Sequence, residues 1–145
     1  MGKDRSGLFA PGVAEYTGRL QHYAKTELKE LPESRASGDQ ARTAEGEALL
    51  ARLSSKDVLV ALDERGKQLS TAELAQWVGK QQQGGRDLAF VIGGDEGLSE
   101  AVRTRAVLVL SLSRFTLPHR LARLVLVEQL YRVFTLLRGE SYHRA

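Results

Sequence analysis

Leu88-Ala89-Phe90-Val91-Ile92-Gly93-Gly94-Asp95-Glu96-Gly97 is the stretch that decides the fold. Its first five residues are apolar without alternation, too short for a helix, and bounded by polar residues and glycine. That pattern is a strand buried on both faces, the kind found in parallel sheets. Two more such runs stand either side of it. Val58-Leu59-Val60-Ala61-Leu62 lies within Asp57 to Asp63, and Val107 to Leu112 is the other. Helical segments separate them. Ser70 with Glu73 three residues on has capping-box spacing, and the helix it opens runs to about Gln82, before Gly84-Gly85. Ser99 to Arg105 reads as a short helix, and Pro118 opens a long one to about Leu137. Glu64-Arg65-Gly66-Lys67 reads as a turn. Buried strands alternating with helices predict a single α/β domain with a mainly parallel sheet.

Upstream, Val13 to Leu28 reads as a helix and Ala41 to Leu53 as another. The alternation from Thr26 to Leu31 fits a half-buried strand, and Pro32 to Gln40 a loop. The helix from Pro118 is apolar around most of its circumference, from Leu121 through Leu137. A helix of that kind is enclosed on several sides. One sheet face cannot supply all the cover, so a homodimer built on this helix is expected, its isologous contact placing two copies together.

Composition narrows the chemistry. The 145 residues include no cysteine, which excludes disulfides and thiolate metal sites. His22, His119 and His143 show no ligand spacing, so no metal is expected. No run approaches the roughly 18 apolar residues of a membrane span, and Met1-Gly2-Lys3-Asp4-Arg5 leads into no secretory signal. A cytoplasmic protein is expected. Residues 101–145 hold eight arginines against Glu128 and Glu140, so this third carries +6 within a net +3. Clustered guanidinium groups suit phosphate, although a solvated helix face with ion pairs is the plainer alternative.

Three segments are able to carry chemistry. Gly93 to Gly97 follows a buried strand, where open α/β sheets bind ligands and where glycine admits close backbone approach. An ordinary strand-to-helix turn would look the same. Ser111-Leu112-Ser113-Arg114-Phe115-Thr116-Leu117-Pro118-His119 also joins a strand to a helix, and offers backbone bonds and apolar walls for an adenine ring. Its alternative is a polar loop in which Thr116 or Ser113 caps the helix. Tyr142-His143-Arg144 suits base stacking and phosphate contact, or is a frayed end that the core does not need.

Taken together, these motifs resemble a known family. Phe90-Val91-Ile92-Gly93-Gly94 with Glu96-Gly97-Leu98, Ser111-Leu112-Ser113, Thr116-Leu117-Pro118-His119, Glu128-Gln129-Leu130-Tyr131-Arg132 and Gly139-Glu140-Ser141-Tyr142-His143-Arg144 stand in the order and spacing of the bacterial ribosomal RNA large subunit methyltransferase H family. The match is dense from Asp57 to Arg144 and reaches upstream through Glu45-Gly46. The resemblance implies a SPOUT-type methyltransferase fold with a C-terminal trefoil knot. It implies methylation of N3 of a pseudouridine in ribosomal RNA of the assembled ribosome, with S-adenosylmethionine as cofactor. The cofactor contacts it implies are Leu62, Gly93, Gly94, Leu112, Ser113, Arg114, Phe115, Thr116 and Leu117. Family members begin with a strand ending in Val-Gly-Lys or Ile-Gly-Lys, whereas here the sequence starts at Met1-Gly2-Lys3, so that first strand is expected to be missing upstream of Met1.

Roles for the remaining polar residues follow from the chemistry. Methyl transfer to a protonated ring nitrogen needs the proton removed and the developing charge stabilised. His119, Arg132, His143 and Arg144 are the candidate catalytic residues, with Arg132 placed on the long helix on the cofactor side. Tyr142, His143 and Arg144 are the candidate substrate contacts. A non-catalytic ribosome-associated protein of the same fold, or a methyltransferase acting on another RNA, are the competing readings.

Overall fold

A computed structural model describes residues 7–28, 37–94 and 97–144. The chain runs α1 (Ala10–Leu20), α2 (Gly38–Ala51), β1 (Val58–Gln68), α3 (Thr71–Gln83), β2 (Leu88–Ile92), α4 (Glu100–Arg105), β3 (Leu108–Ser111) and α5 (His119–Leu137). The sheet has the order β2-β1-β3 and both pairings are parallel, as the three continuous apolar runs predict. β1 is central, and Val58 to Leu62 are all buried. Successive side chains leave a strand on opposite faces. Val60 and Leu62 accordingly join a core with α3 and α5, whereas Leu59 and Ala61 pack with Val102 of α4 and the end of α2. α1 lies outside α5 and closes a third cluster through Val13, Leu20 and Val127.

The capping box at α3 is formed as expected. Ser70 Oγ accepts the Glu73 amide at 3.1 Å, and the Ser70 amide donates to Glu73 Oε1 at 2.8 Å. The first helix is shorter than its apolar stripe suggests. It starts at Ala10, with Pro11 in its first turn, and ends at Leu20. Gln21 then turns the chain, its side chain bonding both the amide and the carbonyl of Thr26. Residues 25–28 form no strand, and the rest of the expected Thr26–Leu31 strand lies outside the described residues. So do residues 1–6, where the family's first strand would end.

The expected turn at Glu64-Arg65-Gly66-Lys67 is instead part of β1. Against β3, Leu62 pairs with Leu110, and after an irregularity Lys67 pairs with Leu110 again and Gln68 with Ser111. Gly66 serves close approach here rather than turning. A Cβ on it would stand 2.6 Å from the Val109 carbonyl oxygen. A glycine inside a strand marks such an approach as often as a loop.

The wall expected from a second subunit is partly supplied within the chain. α5 packs on the sheet and α3 through Leu126 and Val133, and on α1 through Val127, Leu124 and Tyr131. The strip left over is Leu121, Val125, Glu128 and Arg132, spaced four, three and four residues apart along one side of the helix.

Candidate functional site

Parallel strands bring their carboxyl ends to one edge, and the principal cavity lies there, with a volume of about 710 Å³. That is a usual size for a small-molecule site. Leu62 enters from β1, Ile92, Gly93 and Gly94 from the end of β2, and Leu112 to His119 from the connection after β3. Of the nine residues implied as cofactor contacts, all but Arg114 line the cavity. Arg114 is exposed and lies off its wall.

The glycine loop is built by close packing of backbone. The Gly97 amide donates to the Gly94 carbonyl at 3.0 Å, and Gly97 has φ +79°, a conformation that side chains disfavour. The turn folds back on Gly93, where a Cβ would meet Gly97 C at 2.7 Å and Leu98 N at 3.0 Å. Beyond an ordinary turn, this loop leaves a bare backbone edge facing a cavity, which suits the flat face and polar edge of a nucleoside.

The second loop is held by its hydroxyls. Ser111 Oγ donates to the Ser113 carbonyl at 2.8 Å, and the Phe115 amide donates to Ser113 Oγ at 2.9 Å. Thr116 Oγ1 donates to Glu64 Oε2 at 2.8 Å, latching the loop to the irregular part of β1. Neither Ser113 nor Thr116 caps α5, whose N-cap position is Pro118 with no side-chain cap bond.

A charged clamp joins the two strand ends. Arg103 Nη1 donates to Asp63 Oδ2 and to the Leu98 carbonyl, both at 3.2 Å, and Nη2 reaches Glu100 at 3.0 Å. Asp63 also accepts the Arg65 amide at 2.9 Å and the Arg65 side chain. Burial alone would push the Asp63 carboxyl up. The hydrogen bonds and charge of Arg65, with Arg103, outweigh that and hold it below its ordinary value. Nothing in the apolar pattern announces this clamp. Arginine at the end of a short helix reads as surface.

His119 lines the cavity, whereas Arg132, Tyr142 and His143 gather elsewhere. Thirteen residues separate His119 from Arg132, about 20 Å along one helix. Arg132 therefore stands away from the cavity, not beside it as expected. It grips Glu128 at 2.6 Å, approaches His143 Nδ1 at 3.3 Å and stacks over the Tyr142 ring at 4.8 Å. Tyr142 donates to Glu128 at 3.2 Å and lies edge-on to Tyr131 at 4.7 Å. The tail is thus folded onto α5 rather than frayed. Hydrogen bonding to Tyr16, burial and the Glu128 charge push the Tyr142 phenol up to about 12. Arg144 is exposed.

Among the described residues no cluster of three metal-ligand side chains occurs, and no helix is long and apolar enough to cross a membrane. A family model described as "Predicted SPOUT methyltransferase" matches residues 1–143. The chain is 56% identical to "Ribosomal RNA large subunit methyltransferase H" of Anaeromyxobacter sp. (strain Fw109-5), over 99% of this chain and 95% of the relative. It is 52% identical to the protein of that name from Anaeromyxobacter dehalogenans (strain 2CP-C), at the same coverage. The relative of that name from Gemmatimonas aurantiaca is 44% identical, over 99% of this chain and 96% of its own length. An α/β domain with a parallel sheet, a nucleoside-sized cavity at its strand ends and full-length similarity of this order leave one assignment: the chain belongs to the SPOUT methyltransferases, in the family of ribosomal RNA large subunit methyltransferase H.

Proposed function

We propose that this protein transfers a methyl group from S-adenosylmethionine to N3 of a pseudouridine in large-subunit ribosomal RNA, acting in the cytoplasm on the assembled ribosome. The observation that carries the reading is the cavity bounded by Leu62, the Gly93-Gly94 edge, Leu112, Ser113 and Phe115 to Leu117. The residues present fit the cofactor. The Gly93 cradle excludes a Cβ, and the Ser111–Ser113 turn keeps the second loop formed. When bound, S-adenosylmethionine supplies a methyl group already activated for in-line displacement.

The chain's own task is then to align donor and acceptor, a contribution worth on the order of 7–11 kcal/mol at best. His119 at the cavity wall is placed to take the proton from the acceptor nitrogen, as an imidazole nitrogen can. Arg132, His143 and Arg144 are suited to hold the base and the charge that develops on it. Within one subunit they stand too far from the cavity. A homodimer resolves this. Among the described residues, Leu121 and Val125 belong to none of the apolar clusters, and they share a side of α5 with Glu128 and Arg132. Two copies crossing antiparallel near Val125 carry the Arg132–His143 end of one subunit to the cavity end of the other. We also read the connection through Leu112–Pro118 as the last pass of the trefoil knot that the family resemblance implies.

Calorimetry with S-adenosylmethionine tests the cofactor, with a micromolar dissociation constant expected, about −8 kcal/mol. Mass spectrometry of ribosomal RNA from a strain lacking the gene tests the substrate. A folded protein that binds no S-adenosylmethionine, or ribosomal RNA with unchanged methylation, overturns the reading.

A further inference from the structure

Four arginines line the cavity: Arg42, Arg65, Arg103 and Arg120. Two have their acceptors within the chain, because Arg65 and Arg103 both bond Asp63. The other two each keep a buried nitrogen without an acceptor among the described residues. Arg42 gives one nitrogen to the exposed Asp39, yet its Nε is buried without a hydrogen-bond partner. The Nε of Arg120 is buried and unpartnered as well. The described acids on the cavity wall are already engaged, Asp63 by two arginines and Glu64 by Thr116. A buried N–H without an acceptor is costly, and a guanidinium presents Nε and Nη as a fork for two oxygens.

The two side chains come from opposite sides of the sheet. Arg42 belongs to α2, which packs with the Leu59 and Ala61 face, and Arg120 to α5, which packs with the Val60 and Leu62 face. They therefore bracket the strand-end cavity from both sides. The proposed cofactor does not suit them as a ligand, because its sulfonium and ammonium outweigh its single carboxylate. A polyanion does. Resting on the function proposed above, we infer that Arg42 and Arg120 grip the phosphate backbone of the RNA strand whose base enters the cavity, one on each side. The strand then runs from α2 across the cavity to the start of α5, and its phosphates offset the cationic donor and the arginines together.

The test uses the full-length protein with Arg42→Gln, Arg120→Gln and the double variant. Four quantities are read: KM and kcat for methylation of ribosomes lacking the modification, the dissociation constant of S-adenosylmethionine by calorimetry, and anisotropy of a fluorescent single-stranded RNA dodecamer across a salt series. Each substitution is expected to raise the ribosome KM roughly tenfold, as for loss of one charge-assisted contact. The slope of log affinity for the dodecamer against log salt should fall by about 0.7 per arginine, the value for one phosphate on a single strand. The S-adenosylmethionine constant should stay within about twofold. Unchanged KM and unchanged dodecamer binding overturn the inference. Weaker S-adenosylmethionine binding with unchanged dodecamer binding overturns it too, and assigns the arginines to the cofactor carboxylate. A wild-type protein that methylates no ribosome defeats the function proposed above instead, and the dodecamer comparison still decides the phosphate site.

Discussion

Replacing Gly93 by alanine adds one carbon where the chain has no room for it. The new Cβ would stand 2.7 Å from Gly97 C and 2.9 Å from Gly97 O, against 3.4–4 Å for ordinary contact. Relief therefore requires a displacement of roughly 1 Å. The obstructing atoms are backbone and cannot swing aside as a side chain would. Leu98 behind them is buried, and its carbonyl is held by Arg103 at 3.2 Å. Misplacement of about 1 Å at a ligand-positioning edge costs on the order of 100-fold, or about 2.7 kcal/mol. A micromolar S-adenosylmethionine constant should move to about 100 μM by calorimetry. The fold itself should lose ~1–3 kcal/mol as an overpacked site, a fall of a few degrees in Tm. Gly18→Ala is the control, since nothing lies within 4 Å of a Cβ there. It should keep cofactor affinity unchanged. A natively folded Gly93→Ala protein with wild-type affinity would refute the close-approach reasoning.

Three further outcomes are expected. Asp63 has its carboxyl held below the ordinary 3.8 in the folded chain, so the clamp stabilises above that pH and is lost as pH falls through the lower, folded value. Asp63→Asn should accordingly flatten the acid limb of a Tm-against-pH series below about pH 4, and an unchanged limb would remove Asp63 from the acid transition. Thr116→Val removes the latch on Glu64 and should weaken S-adenosylmethionine binding by roughly 2- to 10-fold at unchanged fold by circular dichroism, the range for one hydrogen bond. Deleting Tyr142, His143 and Arg144 should leave cofactor binding intact and lower methyl transfer about 10- to 100-fold. Mixing that deletion with Gly93→Val subunits should recover activity if the site is shared between subunits, whereas activity no higher than either parent places the tail within its own.

Most of the architecture was legible because it rests on short-range pattern. The runs at Val58, Leu88 and Val107 are continuous and apolar, and such strands read the same in any context that buries both faces. Ser70 with Glu73 announced the start of α3 through a local reciprocal bond. The misreadings fall where distant contacts override local preference. Glu64-Arg65-Gly66-Lys67 has the composition of a turn, yet pairing of Lys67 and Gln68 with β3 draws it into the strand. The apolar girth of α5 was legible, but not that α1 would cover so much of it, since α1 is about 100 residues away in sequence. Of the cavity wall, Leu62, Gly93, Leu112, Ser113 and Phe115 to Leu117 followed from strand ends and the family resemblance, whereas Arg114 lies off it. The Asp63–Arg103 clamp and the unpartnered nitrogens of Arg42 and Arg120 did not, because arginines on helices look alike until their acceptors are known.

α5 carries the cavity wall at one end, through His119, and the Glu128–Arg132–His143 cluster toward the other. The helix thereby works as a ruler between the cavity wall and that cluster. A ruler of this kind has a phase as well as a length. One residue inserted between Val125 and Glu128 would advance the far end by about 1.5 Å and turn it by roughly 100°. Arg132 would then leave the side it shares with Leu121 and face α3 or the sheet instead. Point changes on α5 are tolerable wherever they keep volume and charge. Insertions and deletions are not, and the interval from His119 to Arg132 should be held at thirteen residues in every chain that uses this device.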